Sequence, residues 1–136
     1  MVREIMHDPL FLAQKSEPAT QADRQVIDDL LDTLQANRDR CVGMAANMIG
    51  VRKNIIAICN GPFVMAMVNP KITDKKGMYT TEEGCLSLAG ARPAKRWKEI
   101  TVSYLDQNFQ PHVNTFREFT AQIIQHEIDH CEGVLI

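Results

Sequence analysis

The chain of 136 residues lacks most of the features that mark specialised protein classes. No stretch approaches the roughly 18 consecutive apolar residues needed to span a membrane, so no membrane segment is expected. Positive charge is not in excess: 15 Lys and Arg stand against 17 Asp and Glu, a formal net charge of -2. That balance argues against a nucleic-acid partner, which usually demands a basic surplus or stripe. The opening residues, Met1 to Pro9, never develop the apolar run of an export signal, so a cytoplasmic location is expected. No pair among Cys41, Cys59, Cys85 and Cys131 has CxxC spacing, which speaks against a zinc knuckle, and without an export signal disulfides are not expected. Repeats, low-complexity tracts and linkers are also missing. One domain over residues 1–136, long enough to bury its own core, is the expectation.

What is present begins with a short segment, Arg3 to Leu12, broken by Pro9. Thr20 then reads as an N-cap, with Asp23 supplying an acidic first turn. From Gln21 to about Arg40 the pattern is helical: Val26, Ile27, Leu30, Leu31 and Leu34 make an apolar stripe, with Asp28, Asp29, Asp32 and Gln35 opposite. The run Cys41 to Gly50 crowds small residues together, which suits a backbone that passes close to another chain or a ligand. Asn54–Asn60 and Phe63–Asn69, parted by Gly61-Pro62, read as a hairpin. Asn69-Pro70 and Lys75-Lys76-Gly77 read as turns. Thr80 to Leu88 is expected to be extended, Ile100 to Leu105 is an alternating strand, and Pro111 to Thr115 is one more short strand. A last helix is expected from Thr115 or Phe116. Helix, several strands, helix makes an α+β class with mostly antiparallel sheet packed around the final helix.

That final helix carries His126-Glu127-Ile128-Asp129-His130, an HExxH pattern. Residues four apart on a helix share a face, so two imidazoles can address one metal ion with Glu127 beside them to handle a proton. A catalytic site of this kind usually takes a third protein ligand. Cys85, Cys131, His112 and His7 are the candidates besides carboxylates. Cys131 follows His130 directly and points about 100° around the helix from it. Cys85 lies among small and polar residues where a backbone can approach closely, and is modestly favoured.

Three segments in order, Gly43-Met44-Ala45-Ala46-Asn47-Met48-Ile49-Gly50, Glu83-Gly84-Cys85-Leu86-Ser87 and Gln125-His126-Glu127-Ile128-Asp129-His130, resemble the three motifs of the peptide deformylases. The resemblance covers nearly the whole chain. It implies that Cys85, His126 and His130 hold a divalent metal, ferrous iron foremost, with zinc, nickel or cobalt able to occupy the site. It implies Glu127 as general acid/base and the Leu86 backbone N–H as oxyanion donor. Val42, Gly43, Gly84, Phe119 and Ile123 match positions that bind substrate. The implied reaction is hydrolysis of the formyl group from formylmethionine on nascent polypeptides, at the ribosome. Asp129 would pair with an arginine, Arg92 or Arg96, to steady the ligand helix.

One departure touches the chemistry. The family's oxyanion glutamine falls at Met48, which cannot donate a hydrogen bond. Asn47 carries an amide next door, but on an extended segment it should face the other way. Cys41, Leu88-Ala89 and Cys131 are smaller departures. A deformylase-like paralogue of little turnover is therefore carried as the alternative. A peptidase of the HExxH type, which would cleave unformylated internal bonds, is the third reading.

Overall fold

A computed structural model describes residues 1–136. Five strands form one fully antiparallel sheet in the order β1-β2-β3-β4-β5: Gly43–Ala45, Ile55–Asn60, Phe63–Cys85, Leu88–Leu105 and Pro111–Arg117. Three helices accompany it: α1 (Pro9–Leu12), α2 (Arg24–Ala36) and α3 (Glu118–Cys131). This is the expected α+β arrangement.

Strands β1 and β2 and the Ala66–Val68 part of β3 are covered on both faces, which explains why β2 reads Ile-Ile-Ala-Ile without polar alternation. Ile55, Ala57, Ala66 and Val68 pack with Ile27, Leu30 and Leu34 of α2. Ile56, Ile58 and Met67 face the other way and pack with Ala121 and Ile124 of α3. The HExxH helix is thus seated on one face of the sheet, with α2 on the other. Farther along, β4 alternates cleanly: Ile100, Val102 and Tyr104 are buried while their neighbours are less so.

Several local expectations are corrected. The Asn69-Pro70 and Lys75-Lys76-Gly77 signals do not end strands; β3 runs through both, with irregular register between Val68 and Lys71 and between Ile72 and Asp74. A bulge absorbs Asn69-Pro70, whereas Lys75-Lys76-Gly77 stays in register because β4 continues opposite it. The second helix stops at Ala36, closed by Asn37, and does not reach Arg40. The last helix starts at Glu118, since β5 keeps its pairing with β4 as far as Arg117↔Glu99. Thr20 and Asp23 do form a capping box, on a 3₁₀ turn that leads into α2. Asp29, assigned by periodicity to the polar face of α2, is buried. The N-terminal segment crosses there: Arg3 pairs with Asp29 at 2.8 Å and its N–H donates to Thr33 Oγ1.

Candidate metal centre and active site

The long β3–β4 hairpin and α3 meet at the site. Cys85 ends β3, and Leu86-Ser87 form the tight turn into β4. Helix α3 is fastened to the β4 backbone by Gln125, which accepts from the Trp97 N–H and donates to the Trp97 carbonyl, both at 2.8 Å. At the far end Gly133 adopts a φ of 78° and closes the helix, its N–H donating to His130 O and that of Val134 to Asp129 O. A side chain at Gly133 would collide with the Ala13 carbonyl at 2.5 Å.

On this fixed helix His126 and His130 lie one turn apart with their rings edge to face, their Nε2 atoms 3.0 Å from each other. Their ligand atoms and Cys85 Sγ all lie within 4.8 Å of one another. No other His or Cys joins them. His7 Nδ1 donates to the Ser87 carbonyl, and His112 pairs with Asp106. Cys131 is buried in the apolar cluster under α3, where burial pushes its thiol up to about 12.

The donors suit a divalent cation. A thiolate and two imidazoles are the ligand types preferred by zinc and by the later first-row metals. Burial works against charge on His126, yet hydrogen bonds to Cys85 and Glu83 outweigh it and push the imidazole up to about 10. Burial and the neighbouring His126 drive His130 down to about 3. A proton is thus accepted on His126 and refused on His130, whose buried ring has no partner at Nδ1.

Behind the ligands stands a carboxylate that sequence reasoning gave no role. Glu83 accepts from His126 Nδ1 at 2.8 Å, from Arg96 Nη2 at 2.7 Å and from Gln122 Nε2 at 2.8 Å. Burial opposes its ionisation, but these three donors hold its carboxyl down at about 2. Arg96 also donates to Asp129 Oδ2 at 2.7 Å. Of the two arginines considered for Asp129, the structure therefore selects Arg96. Strand parity carried a usable signal: Glu83 and Cys85 are two apart on β3 and share a face.

In front of the ligands lies a cavity of about 290 Å³. Val42, Gly43, Gly84, Leu86, Phe119, Ile123 and Glu127 all line it, as do Cys85 and His126. Glu127 is buried, its Oε1 has no partner, and burial pushes its carboxyl up to about 7. Gly43 is required by close approach, because a Cβ there would lie 2.7 Å from Ile123 Cγ2 and 2.8 Å from Glu127 Oε2. Neither Met48 nor Asn47 lines the cavity. Met48 is buried with its Sδ accepting the Ala45 N–H at 3.4 Å, and Asn47 donates to the His130 carbonyl at 2.9 Å. The neighbouring amide thus braces the ligand helix and supplies no substitute donor.

A Cys-His-His cluster with a proton-accepting carboxylate beside it, open to a cavity, defines a mononuclear metal hydrolase. The polypeptide deformylase family model matches residues 2–136. A peptide deformylase of Clostridium beijerinckii is 55% identical over 136 residues, covering 100% of both chains. Peptide deformylase 2 of Clostridium acetobutylicum is 39% identical over 129 residues, covering 92% of this chain and 85% of that protein. The crystal structure of peptide deformylase from Thermotoga maritima superimposes with a TM-score of 0.88 at 27% identity, covering 99% of this chain and 95% of that one. A Met-Ala-Ser-bound class I type b peptide deformylase from Acinetobacter baumannii gives 0.88 at 26% identity, covering 99% and 97%. The chain belongs to the polypeptide deformylase family.

Proposed function

We propose that the chain removes the N-formyl group from formylmethionine of nascent polypeptides through the cavity in front of Cys85, His126 and His130. The observation that carries this reading is the convergence of those three donors within 4.8 Å beside Glu127. A divalent metal belongs to the activity; held by Cys85, His126 and His130, it would supply Lewis-acid polarisation of the formyl oxygen and a water acidic enough to react near neutrality. Ferrous iron is the ion we assign in the cell, with zinc, nickel or cobalt as substitutes in vitro.

The chain's own residues supply the remainder. Gly43 and Gly84 let an extended peptide backbone approach, and Val42, Phe119 and Ile123 enclose the methionine side chain. Leu86 N–H faces the developing oxyanion. Glu127 takes the proton of the attacking water and returns it to the amine nitrogen as the C–N bond breaks, leaving formate and a free amino terminus. A carboxyl that titrates near neutrality can perform both transfers. Glu83 orients His126 by holding its Nδ1. The Acinetobacter neighbour binds Met-Ala-Ser, which has the form of a deformylated product and supports this substrate class.

The paralogue of little turnover is not favoured: the match to the Clostridium beijerinckii deformylase is end to end, and the ligands, base and cavity are intact. We place the protein as a single domain in the cytoplasm, acting on chains emerging from the ribosome without binding nucleic acid itself. No helix is long and apolar enough to cross a membrane. The test is formate release from formyl-Met-Ala-Ser by protein loaded anaerobically with iron, with Glu127→Ala as background. Cobalt loading adds a second readout, a thiolate-to-cobalt absorption band that Cys85→Ser abolishes. Turnover no higher than that of Glu127→Ala at full metal load would refute the reading.

A further inference from the structure

We infer that Arg40 is a specificity-determining residue that selects formyl peptides carrying an acidic side chain at the second or third position. The inference rests on the deformylase reading and extends it beyond the methionine pocket.

Arg40 is exposed and lines the mouth of the same cavity as Glu127 and Cys85. Its guanidinium is held in place from one side only. Nη2 and Nε donate to Asn37 Oδ1 at 2.8 and 3.2 Å. Asn37 is itself buried and locked, its Nδ2 donating to the Thr33 carbonyl at 2.7 Å. No carboxylate neutralises Arg40, which takes part in none of the chain's ion pairs. A planar fork with most of its donors unused, fixed by a buried amide and left at full charge, is prepared for a carboxylate.

Its distance from the chemistry sets which substrate residue it meets. A Cβ on Gly43 would lie 2.8 Å from Glu127 Oε2, which on the deformylase reading puts the formyl group beside Gly43. Arg40 is three residues earlier, no more than about 10 Å along the chain. An extended peptide leaving the site past Val42 covers that span with its second and third residues. Glu82 is the other charge on the rim, and no hydrogen bond fixes its side chain. Glu83 is neutralised by Arg96. The immobilised charge, Arg40, sets the preference, and Glu82 weakens it.

The experiment compares kcat/KM for formate release from two peptide series, formyl-Met-X-Ala-amide and formyl-Met-Ala-X-amide, with X as Glu, Gln or Lys. Amidation removes the terminal carboxylate. In one series Glu should exceed Gln by about two- to fivefold, the range of an exposed ion pair, mostly through KM, and Lys should fall below Gln. The Glu/Gln ratio should approach one in Arg40→Gln, invert in Arg40→Glu and shrink at high salt. Arg38→Gln serves as control, because Arg38 donates to the Gly61 and Pro62 carbonyls away from the cavity; its ratio should match wild type. Equal rates for Glu, Gln and Lys in both series would overturn the inference and leave the deformylase reading standing. Unchanged ratios in Arg40→Gln would overturn it too. No formate from any peptide would overturn both.

Discussion

Replacing Gly43 by alanine tests whether the first motif is small because α3 presses against it. The added Cβ would sit 2.7 Å from Ile123 Cγ2, 2.8 Å from Glu127 Oε2 and 3.2 Å from Glu127 Cγ. Ordinary carbon contacts lie at about 3.5–4.0 Å, so helix and strand must separate by roughly 1 Å. Both sides resist: β1 is paired to β2 through Gly43↔Ile58, and α3 is tied to β4 through Gln125. Overpacking of this kind costs about 1–3 kcal/mol, which for a chain of this size lowers Tm on the order of 5–10 °C. Glu127 is one of the displaced groups, and a shift of about 1 Å in a reacting group costs roughly 10²-fold in rate. Metal content should stay near one equivalent, since none of the ligands is struck. Gly84→Ala is the internal control for stability, because its Cβ would meet only the Gly90 carbonyl, at 3.5 Å. Thermal melts, metal analysis and a formate assay on both variants decide the matter. A Gly43→Ala enzyme with wild-type kcat and Tm would refute the packing argument.

Other outcomes follow from the same geometry. Glu83→Gln removes one of the two carboxylates that serve Arg96, leaving Asp129, and loosens His126. Stability should fall by about 1–3 kcal/mol, less than for a buried charge left wholly unpaired, and chelator competition should show metal affinity down about 10- to 100-fold. Met48→Gln introduces the family's amide at a position that is buried and does not line the cavity, so the side chain must turn out of the cluster with Leu30 and Ile55 to donate. A rise of about tenfold in kcat is expected, less than the roughly 10²–10³ that a well-placed oxyanion donor is worth, and an unchanged kcat would refute it. Asp29 bears on acid stability. Burial opposes its charge, but hydrogen bonds from Gln25, the amino terminus and Arg3 outweigh it and hold its carboxyl below the ordinary 3.8. Its stabilising contribution is therefore complete above that value and is lost as pH falls below it; acid titration of Asp29→Asn should show a shallower loss in that window than wild type.

Much of this was legible in the sequence because the elements with strong periodicity also carry the chemistry. The i, i+4 spacing of His126 and His130 put both imidazoles on one face, and the Gly61-Pro62 hairpin lies where composition placed it. Strand ends were harder to read. Asn69-Pro70 and Gly77 signal turns locally, yet β4 pairs past them and the ladder prevails over local propensity. Asp29 shows the same limit on a helix: periodicity assigns a polar face, and only the crossing of a distant segment decides that the face is covered. The contacts around Glu83 join residues up to 43 positions apart, beyond the reach of any local pattern.

The knot of hydrogen bonds at Glu83 also constrains how this protein can change. One carboxylate serves His126, Arg96 and Gln122, and Arg96 in turn serves Asp129. Substituting any one member leaves a buried partner unmet, so single steps away from this set are costly and compensating pairs are strongly non-additive. The rim has no such interdependence: the Glu82 side chain makes no hydrogen bond or ion pair, and the Arg40 side chain leans only on Asn37. Drift, whether natural or in a directed library, is thereby channelled outward, with the reaction held constant and the choice of substrate left free to move.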